Sequence, residues 1–439
     1  MSQRIDALIC PRWTIPVEPE VAVHEDLCLA VDKGRVLKLL SRIEANQQFQ
    51  PDIVHERPDH VLIPGLINTH THAAMTLMRG LGEDLPLESW LNKRIWPTEM
   101  RLVCPEFIDD GAQLAIMEML RGGITCFADM YFYPERTAQV AVNFGIRMVA
   151  GMIAIEFPTP WSTDAADCIS KGLAVHDTYK AHPLISTMFA PHAPYTVSDN
   201  TLTRIRQLAD ELNVPVQIHL HETAKEVEDA LSKNGVRPLQ RLKELGLLNP
   251  SLMAVHATQL TADEITILAQ TGCSVVHCPR SNLKLSSGAC PVADLLSAGV
   301  NVALGTDGAA ANNRLDLLAE MNMAALFGKF VANDPTVLPA SMMLELATLS
   351  GARALGLDKE IGSLLPGKSA DAVCIEFKDP GTHPVIDPLS QLVYAAGREN
   401  VTDVWIAGEH LLENRTLTRM DEKSAVQKAG RWAERMTVS

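Results

Sequence analysis

Seven side chains of the kinds that bind metal ions or move protons stand at or just after the ends of short apolar runs. They are His70, His72, His219, Glu222, His256, His277 and Asp307. His70 and His72 are two residues apart, so in a β-strand both imidazoles point to the same face. Three imidazoles with one carboxylate would form a cage for Zn²⁺ or a similar divalent ion, with room for one water.

Each of these motifs is weak evidence by itself. His-x-His and His-x-x-Glu both arise by chance, and the Asp in Gly-Thr-Asp-Gly could simply cap a helix. Together the motifs are stronger evidence, because separate apolar runs each end in a ligand-type side chain. Along the chain these are His-x-His, His, His and Asp. Buried imidazoles and carboxylates without a compensating ion would cost several kcal/mol. We therefore favour a metal site over a set of packed core side chains.

Eight apolar runs alternate with helix-like stretches and must position these side chains. The runs are HVLIPGLINTH, GITCFADMY, IRMVAGMIA, LISTMFAPHA, VPVQIHLHE, LMAVHAT, CSVVHCP and NVALGTDG. They lack clean alternation, as expected for strands buried on both faces of a parallel sheet. Eight strand–helix units predict a (β/α)₈ barrel, which carries its active site at the carboxyl ends of the strands. A doubly wound sheet would normally have a Gly-rich phosphate turn where this chain reads INTHTHAA.

Both ends of the chain also have strand character. The first contains IDALIC and EDLCLAVDKGRVLKLL, with Lys33-Gly34 at a hairpin turn, and the second contains GSLLPGKSADAVCIEF and DVWIAGEHLLEN. We expect residues 1–61 and 362–439 to meet in one small β-sandwich that ends in a helix near residues 419–435. The barrel would then occupy residues 62–361.

Composition excludes several classes of protein. Of 439 residues, 47% are hydrophobic and 21% charged, the balance of a packed soluble protein. The formal charge of −15 disfavours binding to nucleic acids or to membrane surfaces. The nine cysteines form no C-x-x-C pair, and the start of the chain lacks the order of a signal peptide. We therefore expect free thiols and a cytoplasmic location.

The combined motifs resemble the amidohydrolase superfamily over nearly the whole chain. The segments that carry the resemblance are PGLINTHTH, HLHE, AVHA, HCPRSN and LGTDGAA. Within the superfamily the chain is most similar to the branch of 5′-methylthioadenosine/S-adenosylhomocysteine deaminases, through THAAMTLMRGLGEDLPLESWLNKRIWPTE, DMYF, APHAPYT and TDGAAANN.

The resemblance implies a role for each site residue. The implied metal ligands are His70, His72, His219 and Asp307; the catalytic groups are Glu222 as proton shuttle, His256 and Asp307; the substrate-binding groups are Glu99, His192, Glu222 and Asp307. Binuclear relatives carry a carboxylated lysine near the end of the fourth strand, where this chain reads MFAPHAPYT. One divalent ion per subunit, most simply zinc, is expected. His221 is expected to pack or to support a ligand from behind, and His277 is expected to touch a ligand or to brace the site.

The implied reaction is hydrolytic deamination of a purine nucleoside at C6, giving the inosine analogue and ammonia. Relatives that accept S-adenosylhomocysteine can carry arginines after the third strand, where this chain reads VAGMIAIEFPTPW. We therefore expect 5′-methylthioadenosine, with adenosine as a second candidate, to be a better substrate than S-adenosylhomocysteine. The resemblance also favours a homo-oligomer.

Three other functions are compatible with parts of the pattern. The first is a mononuclear amidohydrolase that deaminates a free base such as guanine, an 8-oxopurine or a pterin, or that hydrolyses a triazine; Glu99 argues against it. The second is a non-catalytic scaffold, which predicts missing ligands. The third is a deaminase acting on RNA, which the acidic charge disfavours.

Overall fold

The N-terminal part of the chain begins a β-sheet. The computed structural model describes residues 2–437. The first strands are β1 (Gln3–Thr14), β2 (His24–Glu25), β3 (Leu27–Asp32), β4 (Arg35–Ser41) and β5 (Phe49–Pro64), with helix α1 (Arg42–Gln48) before β5. The predicted turn between β3 and β4 is confirmed, since Lys33 and Gly34 both have positive φ. Such a two-residue turn matches the twist of a hairpin.

Eight parallel strands follow in sequence order and form the predicted barrel. They are β6 (Leu66–Thr71), β7 (Ile124–Asp129), β8 (Arg147–Ala154), β9 (Ile185–Pro191), β10 (Val216–Leu220), β11 (Leu252–His256), β12 (Ser274–His277) and β13 (Asn301–Leu304). The run HVLIPGLINTH, which we expected to be one strand, is divided between β5 and β6 at Gly65. A Cβ at Gly65 would lie 1.9 Å from Thr125 Oγ1, so the chain needs glycine there.

The helices surround the barrel strands. Up to the end of the barrel they are α2 (Leu87–Trp90), α3 (Trp96–Leu102), α4 (Pro105–Arg121), α5 (Pro134–Phe144), α6 (Ala165–Tyr179), α7 (Asp199–Leu212), α8 (Ala224–Asn234), α9 (Pro238–Glu244), α10 (Ala262–Thr271), α11 (Pro279–Lys284), α12 (Val292–Ser297), α13 (Ala309–Asn312), α14 (Leu317–Ala332), α15 (Ala340–Leu346) and α16 (Leu349–Ala354). A 3₁₀ turn (Ala73–Met78) and a π-turn (Leu91–Ile95) lie near the start. Helix α7 shows the expected boundaries: Ser198 accepts a hydrogen bond from Thr201 N, and Asn213 ends the helix in the left-handed region.

The C-terminal part completes the first sheet. Its elements are β14 (Ala372–Glu376), a 3₁₀ turn (Pro380–Thr382), α17 (Pro388–Tyr394), a 3₁₀ turn (Arg398–Asn400), β15 (Val401–Ile406), β16 (Glu409–Glu413), β17 (Thr416–Leu417) and α18 (Glu422–Thr437). Strand β14 pairs antiparallel with β5. The expectation that the two ends meet is confirmed, and their strands form one nine-stranded sheet outside the barrel. We refer to it as the terminal sheet.

The barrel closes between its first strand, β6, and its last strand, β13, beside the site residues His70 and Asp307. Thr69 Oγ1 donates to Leu304 O at 2.6 Å, and Asp307 N donates to His70 O at 3.0 Å. Residues of β6 are fully buried, as are those of its neighbour β7. The side chains at the carboxyl ends of the strands are therefore held in a rigid ring.

Candidate metal centre and active site

Four of the predicted ligands meet at the carboxyl end of the barrel. One ring nitrogen from each of His70, His72 and His219 lies within 4.8 Å of the others. Nε2 of His219 is 3.1 Å from Nε2 of His70. Asp307 Oδ1 lies 3.6 Å from His70 Nε2 and 3.3 Å from His72 Nε2. Strands β6, β10 and the loop after β13 thus bring three nitrogens and one oxygen around a common point.

The other nitrogen of each imidazole is fixed by a carbonyl-type oxygen. The Nδ1 partners are Gln217 Oε1 for His70 (2.7 Å), Met130 O for His72 (2.5 Å) and His192 O for His219 (2.8 Å). Because each oxygen can only accept, Nδ1 carries a proton, and in the neutral form of each ring the Nε2 lone pair faces the cluster. This is the arrangement that orients histidine ligands in metal sites.

The donor set fits a divalent cation. Burial lowers the pKa of His70 to about 4 and holds the pKa of His219 well below its ordinary value, so both are neutral, with lone pairs that face each other. Burial also opposes charge on His72 and Asp307, but their mutual hydrogen bond raises the pKa of His72 to about 9 and lowers that of Asp307. The cluster therefore attracts positive charge, and an N₃O set suits Zn²⁺.

Asp307 is held in one orientation by its neighbours. Its Oδ2 accepts a hydrogen bond of 2.5 Å from Ser281 Oγ, and its Oδ1 accepts one of 2.7 Å from Gly308 N. Its backbone lies in the left-handed region, at φ 58°. Sequence reasoning did not single out Ser281, although it lies in the quoted HCPRSN motif.

Glu222 faces the cluster as a protonatable carboxyl group. Burial, reinforced by the charge of Asp307, raises the pKa of Glu222 to about 8. The backbone amide of Glu222 donates to Glu226 Oε2 at 2.7 Å, which fixes the turn after β10. His256 Nε2 lies 3.9 Å from Glu222 Oε1, and His256 Nδ1 is held by Asn282 Oδ1 at 2.8 Å. The predicted acid/base and its partner are thus adjacent.

The metal-binding cluster opens into a cavity of about 260 Å³. Its outer wall is largely apolar and includes Trp90, Trp96, Met100, Ile155 and Phe157. Met75 also lines it. Within the described part of the chain, no lysine or arginine lines this cavity.

Glu99 and His192 line the same cavity as the metal-binding cluster. Glu99 Oε1 accepts a hydrogen bond of 2.7 Å from the Tyr131 hydroxyl, and burial raises the pKa of Glu99 to about 7. His192 Nδ1 lies 2.9 Å from Thr196 Oγ1, and burial lowers the pKa of His192 to about 3. The cavity therefore offers a carboxyl group and a neutral imidazole beside the cluster.

His221 and His277 are not part of the metal-binding cluster. His221 Nε2 accepts a hydrogen bond of 3.1 Å from Leu239 N, which anchors helix α9. His277 is 2% exposed and its backbone oxygen accepts from Gly305 N at 3.0 Å. Both side chains are buried, and their roles stay predictions.

Comparison with known proteins gives one family. A model of the amidohydrolase family matches residues 61–411. A protein of Teredinibacter turnerae named 5-methylthioadenosine/S-adenosylhomocysteine deaminase is 47% identical over 98% of both chains, and one of the same name from Saccharophagus degradans is 45% identical over 97% of this chain and 96% of its own. A crystal structure of an adenosine deaminase from Xanthomonas campestris with bound zinc is 48% identical over 100% of both chains, with a TM-score of 0.99. Across residues 2–437, no helix is both long and apolar enough to cross a membrane.

Proposed function

The chain belongs to the amidohydrolase family and is a metal-dependent hydrolytic deaminase; we propose that it removes the C6 amino group of 5′-methylthioadenosine. The products are the inosine analogue and ammonia. One observation carries the proposal: a single cavity is lined by three members of the metal-binding cluster (His72, His219 and Asp307), by Glu222 and by Glu99. The first two suit hydrolysis at a purine ring, and the third suits the hydroxyl groups of a ribose.

We assign the ion to His70, His72, His219 and Asp307, with one divalent cation per chain. Zinc is the ion that best suits three imidazoles and a carboxylate. When bound, such an ion lowers the pKa of water from ~15.7 to ~7 and so supplies a nucleophile at neutral pH.

Glu222 is the proton shuttle in this proposal. With its pKa near neutrality, its carboxylate accepts a proton from the attacking water and then donates that proton to N1 of the purine ring. N1 must be protonated because addition at C6 would otherwise place negative charge on the ring. His256, 3.9 Å from Glu222, stabilises the oxygen that adds to C6. The proton that remains on the added oxygen then passes to the amine, the C6–N bond breaks as the C6=O bond forms, and ammonia leaves.

Glu99 and His192 hold the nucleoside. The Glu99 carboxyl group accepts hydrogen bonds from the ribose hydroxyls. The Tyr131 hydroxyl orients this carboxyl group by donating to its Oε1. His192 is neutral, and its Nδ1 is engaged by Thr196, so Nε2 is the nitrogen left for the substrate. A free base has no ribose to meet Glu99, which is why a nucleoside is favoured over guanine, a pterin or a triazine.

The apolar outer wall selects the 5′ substituent. A methylthio group suits contacts with Trp90, Met100 and Phe157. The amino-acid tail of S-adenosylhomocysteine carries a carboxylate, and the described cavity lining contains no lysine or arginine to pair with it. We therefore rank 5′-methylthioadenosine above S-adenosylhomocysteine, with adenosine as a further substrate.

The direct test measures ammonia release from a panel of purine nucleosides and free bases, before and after removal of the metal with a chelator. We expect 5′-methylthioadenosine to be turned over fastest and activity to return with added Zn²⁺. Faster turnover of a free base would contradict the assignment. Homo-oligomer formation and a cytoplasmic location stay predictions, to be tested by light scattering and by cell fractionation.

A further inference from the structure

A second cavity lies where the barrel meets the terminal sheet. It has a volume of about 520 Å³ and shares no lining residue with the catalytic cavity. Its polar lining consists of four arginines and two glutamates: Arg79, Arg121, Arg398, Arg415, Glu118 and Glu422. Four positive and two negative charges leave a formal charge of +2, in a chain whose net charge is −15. We call it the arginine cavity.

The two glutamates of the lining already accept hydrogen bonds from arginines of the same cavity. Glu118 Oε1 accepts hydrogen bonds from Arg398 Nη1 at 2.9 Å and from Leu315 N at 3.2 Å, and Arg79 binds both oxygens of the same carboxylate. Arg121 donates through Nε and Nη2 to one oxygen of Glu422, at 2.9 and 2.6 Å. These pairs therefore offset only part of the positive charge.

Arg415 supplies the charge that is not offset. Its Nη1 donates to three backbone oxygens, of Arg398 (2.9 Å), Glu399 (2.7 Å) and Val401 (2.7 Å), and between residues 2 and 437 no carboxylate forms an ion pair with it. Burial and the nearby charge of Arg121 lower the pKa of Arg415. Arg415 therefore brings to the cavity a guanidinium that is held by backbone oxygens and not by an ion pair with a carboxylate of residues 2–437.

The backbone at Arg415 gives a second indication. Asn414 and Arg415 form the two-residue turn between β16 and β17, with φ of 46° and 63°. Such turns favour glycine at the second position, because a side chain in the left-handed region strains the backbone. The chain instead holds a guanidinium at this position, at the mouth of a cavity that three other arginines line.

We propose that the arginine cavity binds a small molecule that carries a phosphate monoester. Its guanidinium groups come from four separate segments: the turn after Ala73–Met78, the end of α4, the 3₁₀ turn Arg398–Asn400 and the β16–β17 turn. Convergence from several directions suits a dianion with three equivalent oxygens, because each guanidinium has five N–H donors and the contacts described above do not use all of them. The apolar side chains Leu114, Met117 and Val426 line the same cavity and leave room for an organic part.

The test is isothermal titration of the zinc-loaded enzyme with inorganic phosphate and with ribose 5-phosphate at low ionic strength. The informative variants are Arg121→Gln and Arg398→Gln, each of which removes one guanidinium from the cavity. The matched control is Arg206→Gln, because Arg206 lies on helix α7, where its ion pair is with Asp210, and its loss changes the net charge equally. Turnover of 5′-methylthioadenosine without phosphate verifies that each variant is folded, since neither arginine lines the catalytic cavity.

We expect saturable binding of one ribose 5-phosphate per chain, weakened about tenfold or more in the two cavity variants and unchanged in Arg206→Gln. Binding should also weaken as salt is added. Three results would overturn the proposal. The first is no saturable heat up to about 10 mM of either probe, and the second is that Arg206→Gln weakens binding of the probe as much as the cavity variants do. The third is equal binding by wild type and both cavity variants, which would place the probe at the metal centre. Binding of succinate as tightly as ribose 5-phosphate would contradict the preference for phosphate.

Discussion

The backbone amide of Asp307 donates a hydrogen bond of 3.0 Å to the carbonyl oxygen of His70. This bond joins the loop after the last barrel strand to the end of the first strand. Two proposed ligands that are 237 positions apart along the chain (307 − 70) are thereby held against each other by the main chain. Barrel closure and assembly of the metal-binding cluster are thus the same structural event.

The proton shuttle is tested by Glu222→Gln. Glutamine keeps the shape of the side chain but cannot take a proton from water, so we expect kcat to fall by about 10²–10⁴-fold while the metal stays bound. The measurement combines ammonia release with metal analysis. Glu228→Gln on the exposed face of α8 is the control and should retain full activity. Near-normal turnover by Glu222→Gln would remove Glu222 from the mechanism.

Gln217 is predicted to support metal binding through His70. Its Oε1 accepts from His70 Nδ1 at 2.7 Å, and its Nε2 donates to Thr69 O at 2.8 Å. Replacing it by leucine removes both bonds, and we expect metal affinity to fall by about 10–100-fold. Gln217→Glu keeps an acceptor for His70 and serves as the matched variant, with a smaller loss. Competition with a chelator measures both, and equal affinities in all three proteins would show that the Gln217 contact is dispensable.

Recognition of the ribose is tested by Glu99→Gln. A hydrogen bond to a charged group is worth about 1.5–3 kcal/mol, so kcat/KM for 5′-methylthioadenosine should fall by about 10–100-fold. Turnover of a free base, if any is detected, should change little, because a free base makes no contact with Glu99. Tyr131→Phe removes only the hydrogen bond of 2.7 Å to Glu99 and should give a smaller loss. Equal losses on nucleosides and free bases would favour a free-base deaminase.

Selection of the 5′ substituent is tested by Phe157→Arg. Phe157 lines the catalytic cavity and is 38% exposed, so an arginine at this position can reach the cavity from its rim. We expect wild type to prefer 5′-methylthioadenosine by at least about tenfold in kcat/KM, and the variant to narrow that ratio because the new guanidinium pairs with a substrate carboxylate. Phe157→Leu controls for loss of the ring. A wild-type preference for S-adenosylhomocysteine would refute the ranking.

The terminal sheet contains a carboxylate that makes stability depend on pH. Asp403 is fully buried and accepts from Arg57 Nε and Nη2 at 2.7 and 2.6 Å; burial raises its pKa, but the bonds from Arg57 and His410 outweigh burial and hold it far below the ordinary value. A lowered folded-state pKa stabilises the protein fully above the unfolded-state pKa of ~3.9 and progressively less as the pH falls below it.

We therefore expect Asp403→Asn to lower the thermal midpoint clearly at pH 7, because it leaves a largely buried guanidinium without its partner. The gap between variant and wild type should narrow as the pH falls below about 4. Thermal unfolding between pH 3 and pH 8 measures this gap. Asp229→Asn, which removes the exposed pair with Lys225, should change the midpoint little at any pH. If the difference in thermal midpoint widens towards acid pH, ionised Asp403 does not stabilise the folded protein as we expect.

The sequence was sufficient for features that depend on local pattern. The eight apolar runs, the C-terminal helix α18 and the Lys33-Gly34 turn all follow from spacing and residue type. The ligand types and their order along the strands predicted a metal site, since the carboxyl ends of barrel strands share one face. The division of the first run at Gly65 was missed, because the need for glycine arises from Thr125, which is distant in sequence.

Other features were decided only by the tertiary structure. Gln217 and Ser281 have no sequence signal of their own, and they matter because folding places them against His70 and Asp307. The high pKa of Glu222 likewise needs burial and the nearby charge of Asp307, neither of which can be deduced from the His-x-x-Glu spacing. The identity and order of side chains are properties of the sequence, whereas desolvation and the orientation of hydrogen-bond partners exist only once segments distant in sequence have packed together.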